Sequence, residues 1–226
     1  MKLGILFSGG KDSTLALLKA RKQHEIACLI SVVSRNPDSY MFHVPNIHLT
    51  QLQSEALSIP LLTQETKGVK ELELADLRKA FIKAKTDYGI EGIVTGAIRS
   101  VYQASRVQRL CDELGLWCFN PLWLIDQLEL LNETLLNGFK TIISGVAGYP
   151  FTKDFLGQII DEGIISKLKS FQEKFLINPA GEGGELETTV LDCPLFSKQI
   201  EILDSDTSFD NYAGVFNVNK ARLVSK

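Results

Sequence analysis

Residues 8–13 read "SGGKDS": two glycines, a lysine, an acid and two hydroxyls, placed between a short apolar run and a helical pattern. A strand that turns through Gly9 and Gly10 into a helix presents several backbone N–H groups and the helix dipole to an anion. Ser8 and Ser13 add hydroxyls, Lys11 neutralises phosphate charge, and Asp12 is placed to hold magnesium through water. The spacing is not that of a Walker loop, because Ile5 stands where the first glycine is required and Asp12 follows the lysine. It is not G-x-G-x-x-G either. A tight turn with Asp12 or Ser13 as helix cap is the plain alternative. The strand–loop–helix setting favours phosphate binding over it.

Three further stretches carry reactive side chains. The segment "NPAGEGGELETTV" places Glu182, Glu185 and Glu187 around Gly183 and Gly184. Adjacent glycines between acids point to close backbone approach to a ligand. His43 and His48 flank "VPNI" without the spacing of a zinc helix, and His48 lies on the polar side of its helix with Gln51 and Glu55. Tyr102 and Arg106 stand one helical turn apart, suited to contacting substrate or phosphate. Trp117 and Trp123 read as core rather than as a cation cage.

The elements that must position these residues are set by the apolar periodicity. "LGILFS", "IACLISVVS", "PLLTQET", "EGIVTG" and "LWCFNPLW" are short apolar runs separated by helical patterns. Such alternation predicts parallel βαβ units in a doubly wound α/β sheet, with ligands outside the carboxyl ends of the strands. The loop at Ser8, the region after "SVVS" and the turn at Gly96 should then share one crevice, with Gly96 assigned to the nucleotide. In "SVYQASRVQRLCDELG" the apolar stripe is read as Val101, Ala104, Val107, Cys111 and Leu114. Beyond residue 123 the pattern changes to a smaller α+β half. "LGQIIDEGIISKLKSFQEKF" reads as a helix broken near Gly163, and three alternating segments read as strands. The expected organisation is a nucleotide domain over 1–123 and a substrate-side domain over 124–226.

Bulk properties narrow the class. The chain has 226 residues, 45% of them hydrophobic and 23% charged, enough for a sizeable core. A net charge of −3 argues against nucleic acid as partner. The four cysteines form no C-x-x-C pair and read as reduced, mostly buried thiols. With no signal-peptide pattern or apolar stretch of membrane-spanning length, a cytoplasmic protein without a membrane partner is expected.

"FSGGKDS" resembles the signature of the N-type ATP pyrophosphatases, or PP-loop proteins. That resemblance implies ATP in a HUP-like, Rossmann-like sheet, with attack at the α-phosphate. Residues 41–61, 96–116 and 178–196 together are similar to the diphthine–ammonia ligase family in its short archaeal-type form, and "GEGGELET" is the most specific part. This likeness implies amidation of diphthine on translation elongation factor 2, through an acyl-adenylate attacked by ammonia, with AMP and pyrophosphate as products. Free ammonium is then the nitrogen source, magnesium the metal at Asp12, and a homo-oligomer is allowed. The implied catalytic residues are Lys11, Asp12 and Glu185, and Ser8, Gly9, Gly10, Ser13 and Gly96 join Lys11 and Asp12 at the nucleotide. Substrate binding falls to His48, Tyr102, Arg106, Glu182, Gly183, Gly184 and Glu187. For the glutamates three tasks stay open: attracting the quaternary ammonium of diphthine, deprotonating ammonium, or binding magnesium. The rival readings are another PP-loop adenylating enzyme, such as a tRNA-modifying one, and an ATP-binding regulator without turnover.

Overall fold

The computed structural model describes residues 1–34, 36, 45–69 and 71–226; His43 lies outside them. Its first half is a five-stranded parallel sheet in the order β3-β2-β1-β4-β5. The strands are β1 (Lys2–Leu6), β2 (Glu25–Ser34), β3 (Leu61–Thr66), β4 (Gly92–Val94) and β5 (Trp117–Phe119). The helices are α1 (Lys11–Arg21), α2 (Thr50–Leu57), α3 (Glu73–Tyr88) and α4 (Val101–Leu114). The order reverses between β1 and β4, which opens a crevice at their carboxyl ends. The loop at residues 8–10 and the turn at 95–100 lie there, as the alternating pattern predicts.

Both faces of this sheet are covered, which is why its strands are apolar on both sides. On one face Leu77, Phe81, Val107, Leu110 and Cys111 of α3 and α4 bury Cys28, Ile30 and Ile93. On the other, Leu15, Ala16 and Leu17 of α1 and Ala56 and Leu57 of α2 pack with Leu3, Ile5 and Leu29. The apolar stripe of α4 is narrower than its sequence suggests: Val101 is 68% exposed. Trp117 and Trp123 are 40% and 38% exposed, so neither is a core residue. Trp117 instead stacks on Phe119 with ring centres 4.8 Å apart, on the edge strand. Cys28, Cys111 and Cys193 are buried, Cys118 is partly so, and all four are free thiols.

The second half holds a four-stranded antiparallel sheet in the order β7-β6-β9-β8. Its strands are β6 (Lys140–Ala147), β7 (Leu186–Asp192), β8 (Gln199–Asp210) and β9 (Ala213–Val224), and its helices α5 (Gln127–Leu136) and α6 (Glu162–Phe175). The helix expected across residues 156–175 starts only at Glu162. Asp161 caps it by accepting from the N–H of Ile164 at 2.8 Å. Gly163 therefore sits in the first turn and breaks nothing. The preceding residues return to the sheet, where Ile159 bridges Ile142. Strand β8 runs further than its apolar pattern, and its outer stretch carries exposed Asp204, Asp206 and Asp210.

The halves share one core. Ile142, Val190, Ile200 and Val218 of the second sheet join the cluster under α1 and α2. A polar stitch reinforces the seam. Gln53 of α2, fully buried, donates through Nε2 to the Gly9 carbonyl at 2.9 Å and the Val190 carbonyl at 2.7 Å. Removing that amide strands two buried carbonyl contacts and opens a cavity. Gln53→Ala should therefore cost about 2–4 kcal/mol, read as a lowered urea midpoint with an unchanged m-value.

Candidate active site

Helix α1 begins at the switch point without any side-chain cap; Gly10 occupies the N-cap position in an extended conformation. Gly9 has φ +78°, and a Cβ there would collide with Gln53 Oε1. A Cβ on Gly10 would approach the Thr188 carbonyl to 3.1 Å. The positive φ and the collision enforce glycine at 9, independently of any ligand, whereas at 10 the Thr188 carbonyl would have to give by a few tenths of an ångström. The loop's N–H groups are held loosely. Ser8 N–H reaches Ser13 Oγ at 3.3 Å, Gly10 N–H reaches Ser8 Oγ at 3.4 Å, and Lys11 N–H reaches Thr188 Oγ1 at 3.2 Å. The first two are longer than a normal N–H···O bond and the third is at its upper limit. All three acceptors are rotatable hydroxyls, which phosphate oxygens can replace.

Lys11 is nearly fully buried at 2% exposure. Its ammonium donates to the Ala180 carbonyl at 2.5 Å and to Asp12 Oδ2 at 3.1 Å, which leaves one of its three donors for a ligand. Asp12 Oδ1 is buried and lacks a hydrogen-bond partner. Burial holds the Asp12 carboxyl above its ordinary range, against the pull of Lys11.

The loop 178–187 closes over this ammonium, and its three glutamates differ. Glu182 Oε1 accepts from the Arg99 N–H at 2.9 Å, which ties the loop to the β4–α4 turn. Burial raises its carboxyl, with the N–H groups of Arg99 and Ser100 opposing. Glu185 turns back on its own loop, accepting from Asn178 N–H at 3.2 Å, Asn178 Nδ2 at 2.8 Å and Gly183 N–H at 2.8 Å. The side chain assigned to catalysis is thus engaged as a loop brace. Gly183 and Gly184 are both exposed, and Gly184 has φ +85°. Glu187 is the second residue of β7, before Thr188, and is partly buried. Burial pushes its carboxyl up to about 7, with Lys11 pulling down and Asp12 pushing up.

Gly96 packs directly on the start of α1: a Cβ there would lie 2.8 Å from Ser13 N and Asp12 C. Tyr102 and Arg106 face each other, the guanidinium carbon 3.4 Å from the ring centre, and both bond Glu71 Oε1. Their polar groups are engaged with that carboxylate on the rim. His48 is exposed in a single 3-10 turn before α2. Gln53 and Thr188, which shape the loop at residues 8–11, were assigned no role from sequence, although both lie within the stretches that carry the family resemblance. Only their neighbours in space show what they do.

The family model described as diphthamide synthase N-terminal domain matches residues 1–118, and the one described as diphthamide synthase C-terminal domain matches residues 126–224. The chain belongs to the diphthamide synthase family. A diphthine–ammonia ligase of Mus musculus is 33% identical over 99% of this chain and 92% of its own length. One of Schizosaccharomyces pombe is 34% identical over 91% of this chain, which spans 37% of that longer protein. Among solved structures, a predicted subunit of a tRNA methyltransferase from Methanocaldococcus jannaschii DSM aligns at 17% identity with TM-score 0.44, covering 86% of this chain and 98% of that one. That likeness is too distant to bear on activity.

The raised carboxyl of Glu187 has a thermodynamic consequence. Its penalty falls on the charged form, so it is absent below the unfolded value near 4.5 and grows as pH rises towards 7. Glu187→Gln should stabilise the ligand-free protein at pH 8 by at most about 3 kcal/mol and leave it unchanged at pH 4. Urea titrations at the two pH values check this.

Proposed function

We propose that this chain is the ligase that amidates diphthine on translation elongation factor 2, consuming ATP and ammonium and releasing AMP and pyrophosphate. The observation that carries the reading is the convergence of two loops on one ammonium: the uncapped start of α1 and the glutamate loop both close on Lys11. An anion cradle and a set of carboxylates then face each other, as a reaction between a polyphosphate and a substrate bearing a quaternary ammonium requires.

In this reading the polyphosphate lies on the α1 N-terminus. The N–H groups of residues 10–13, the Ser8 and Ser13 hydroxyls and the free donor of Lys11 take the charge of the departing pyrophosphate. A carboxylate is a poor electrophile. The diphthine carboxylate attacks the α-phosphorus, the bond to pyrophosphate breaks, and the resulting mixed anhydride offers AMP as leaving group to ammonia. Lys11 and Asp12 are fixed before substrate arrives, so the site supplies orientation as well as charge.

Magnesium fits the donors present. Asp12 Oδ1 is an orphaned carboxylate oxygen, and hard oxygen ligands suit this ion. Among the described residues no three acids, histidines or cysteines group closely enough to hold a metal unaided. The ion would therefore be shared between Asp12 and the nucleotide's phosphates, where it supplies charge neutralisation.

AMP and pyrophosphate should form only when ATP, ammonium and the diphthine-bearing factor are all present, and the factor should lose about one dalton as OH is exchanged for NH₂. ATP binding without AMP under any condition would make the chain a regulator instead. Lys11→Ala and Asp12→Ala should each lower the AMP-forming rate by about 100-fold or more while circular dichroism shows an intact fold. A folded Lys11→Ala protein with wild-type turnover would remove the loop from the chemistry.

A further inference from the structure

Buried backbone groups need partners, and at residue 180 both partners are side chains. The Ala180 carbonyl accepts from Lys11 Nζ at 2.5 Å, and the Ala180 N–H donates to Gln127 Oε1 at 3.0 Å. We propose that Gln127 is a positioning residue for the polyphosphate: it pins Ala180, so that the carbonyl fixes the Lys11 ammonium and aims its remaining donor at the bound anion. The inference rests on the reading of the α1 start as a polyphosphate site and deepens it.

Gln127 is the first residue of α5, where the chain passes from the first sheet into its second half. Asp126 caps that helix, accepting from the N–H groups of Leu128 at 2.9 Å and Glu129 at 3.0 Å. An ion pair between Lys19 and Glu133 at 2.7 Å, together with the buried Leu130, ties α5 to α1. The amide therefore projects from a fixed helix start rather than from a free loop. Gln127, Ala180 and Lys11 are all buried, so their bonds are costly to lose.

The direction of each bond is forced. A backbone N–H can only donate, so Oε1 must face Ala180 and Nε2 is left for Asn178 Oδ1, at 3.1 Å. Asn178 then has its own Nδ2 for the Glu185 carboxylate, at 2.8 Å. One amide thus orders both the residue that carries the carbonyl and the brace of the loop around it. A lysine ammonium is a compact charge on a flexible stem, placed by the acceptors that meet it. Here those acceptors are Asp12, its neighbour in the chain, and Ala180, supplied by the opposite half. Fixing Ala180 orients the charge before the anion arrives.

The probe is inorganic pyrophosphate, whose binding needs neither the factor nor turnover and is read by calorimetry. Gln127→Met keeps the length of the side chain and removes both of its bonds. It should weaken pyrophosphate binding by about 10-fold. In the Lys11→Ala background the same change should weaken it by less than about 2-fold, because the amide acts through the ammonium. Gln127→Ala, which leaves room for water at the stranded groups, serves in the same cycle if the methionine variant does not fold. Asn178→Ala cuts the arm to Glu185 and spares the arm to Ala180; it should lower the urea midpoint and keep the affinity within about 3-fold.

In factor-dependent AMP formation Gln127→Met should lower kcat/KM for ATP and leave KM for the factor within about 2-fold. Equal losses of pyrophosphate affinity with and without Lys11, a loss in Asn178→Ala as large as in Gln127→Met, or a raised KM for the factor would overturn the positioning role and make Gln127 a support of the loop. No pyrophosphate binding by the unaltered protein would sink the polyphosphate site itself. No AMP from the unaltered protein would sink the amidation reading, while the binding cycle still decides the role of Gln127.

Discussion

A buried lysine must have its charge answered, and in this protein part of the answer comes from the other half of the chain. The Lys11 ammonium, 2% exposed, bonds the Ala180 carbonyl and Asp12. An unpaired ammonium at that depth would shed its proton or unfold the loop. Correct placement of the second sheet is therefore a condition for the first sheet's phosphate loop to hold its shape. Thr188 on the Lys11 N–H and Gln53 between Gly9 and Val190 repeat the constraint in neutral form. The shared apolar core beneath them supplies the area that such polar contacts alone cannot.

This arrangement explains why Gly9 and Gly96 are needed even before a ligand is considered. Gly9 and Gly10 leave room for Gln53 and Thr188, and Gly96 leaves room for the first turn of α1. Pre-organisation of the cradle and packing of the two halves are thus one requirement, not two. The glutamate loop shows the same economy. Glu185 braces it, Glu182 anchors it to the β4–α4 turn, and the carbonyl of Ala180 is thereby held on the lysine.

Local signals in the sequence were sufficient for the elements and for the phosphate loop, because strand–loop–helix alternation and "SGGKDS" are properties of neighbours in the chain. The errors lie where distant contacts decide. Gly163 looks like a helix breaker until Asp161 is seen capping the turn that contains it. Trp117 and Trp123 look like core until β5 proves to be an edge. The acids of the loop look interchangeable in sequence, yet the N–H groups of Asn178, Gly183 and Arg99 sort them into brace, anchor and free carboxylate. Gln53 and Thr188 lie in stretches that carry the family resemblance yet were assigned no task, since their roles exist only once α2 and β7 meet the loop. Val101, counted within the stripe of α4, faces solvent because the stripe narrows at the helix start.

Strand β8 ends the second sheet and presents one row of backbone donors and acceptors to the outside. Along that edge stand Asp204, Asp206 and Asp210, exposed and of one sign. Two such edges brought together would repel before their backbones could bond. The acids on the hairpin thus act as a guard against open-ended edge-to-edge stacking of one copy on the next.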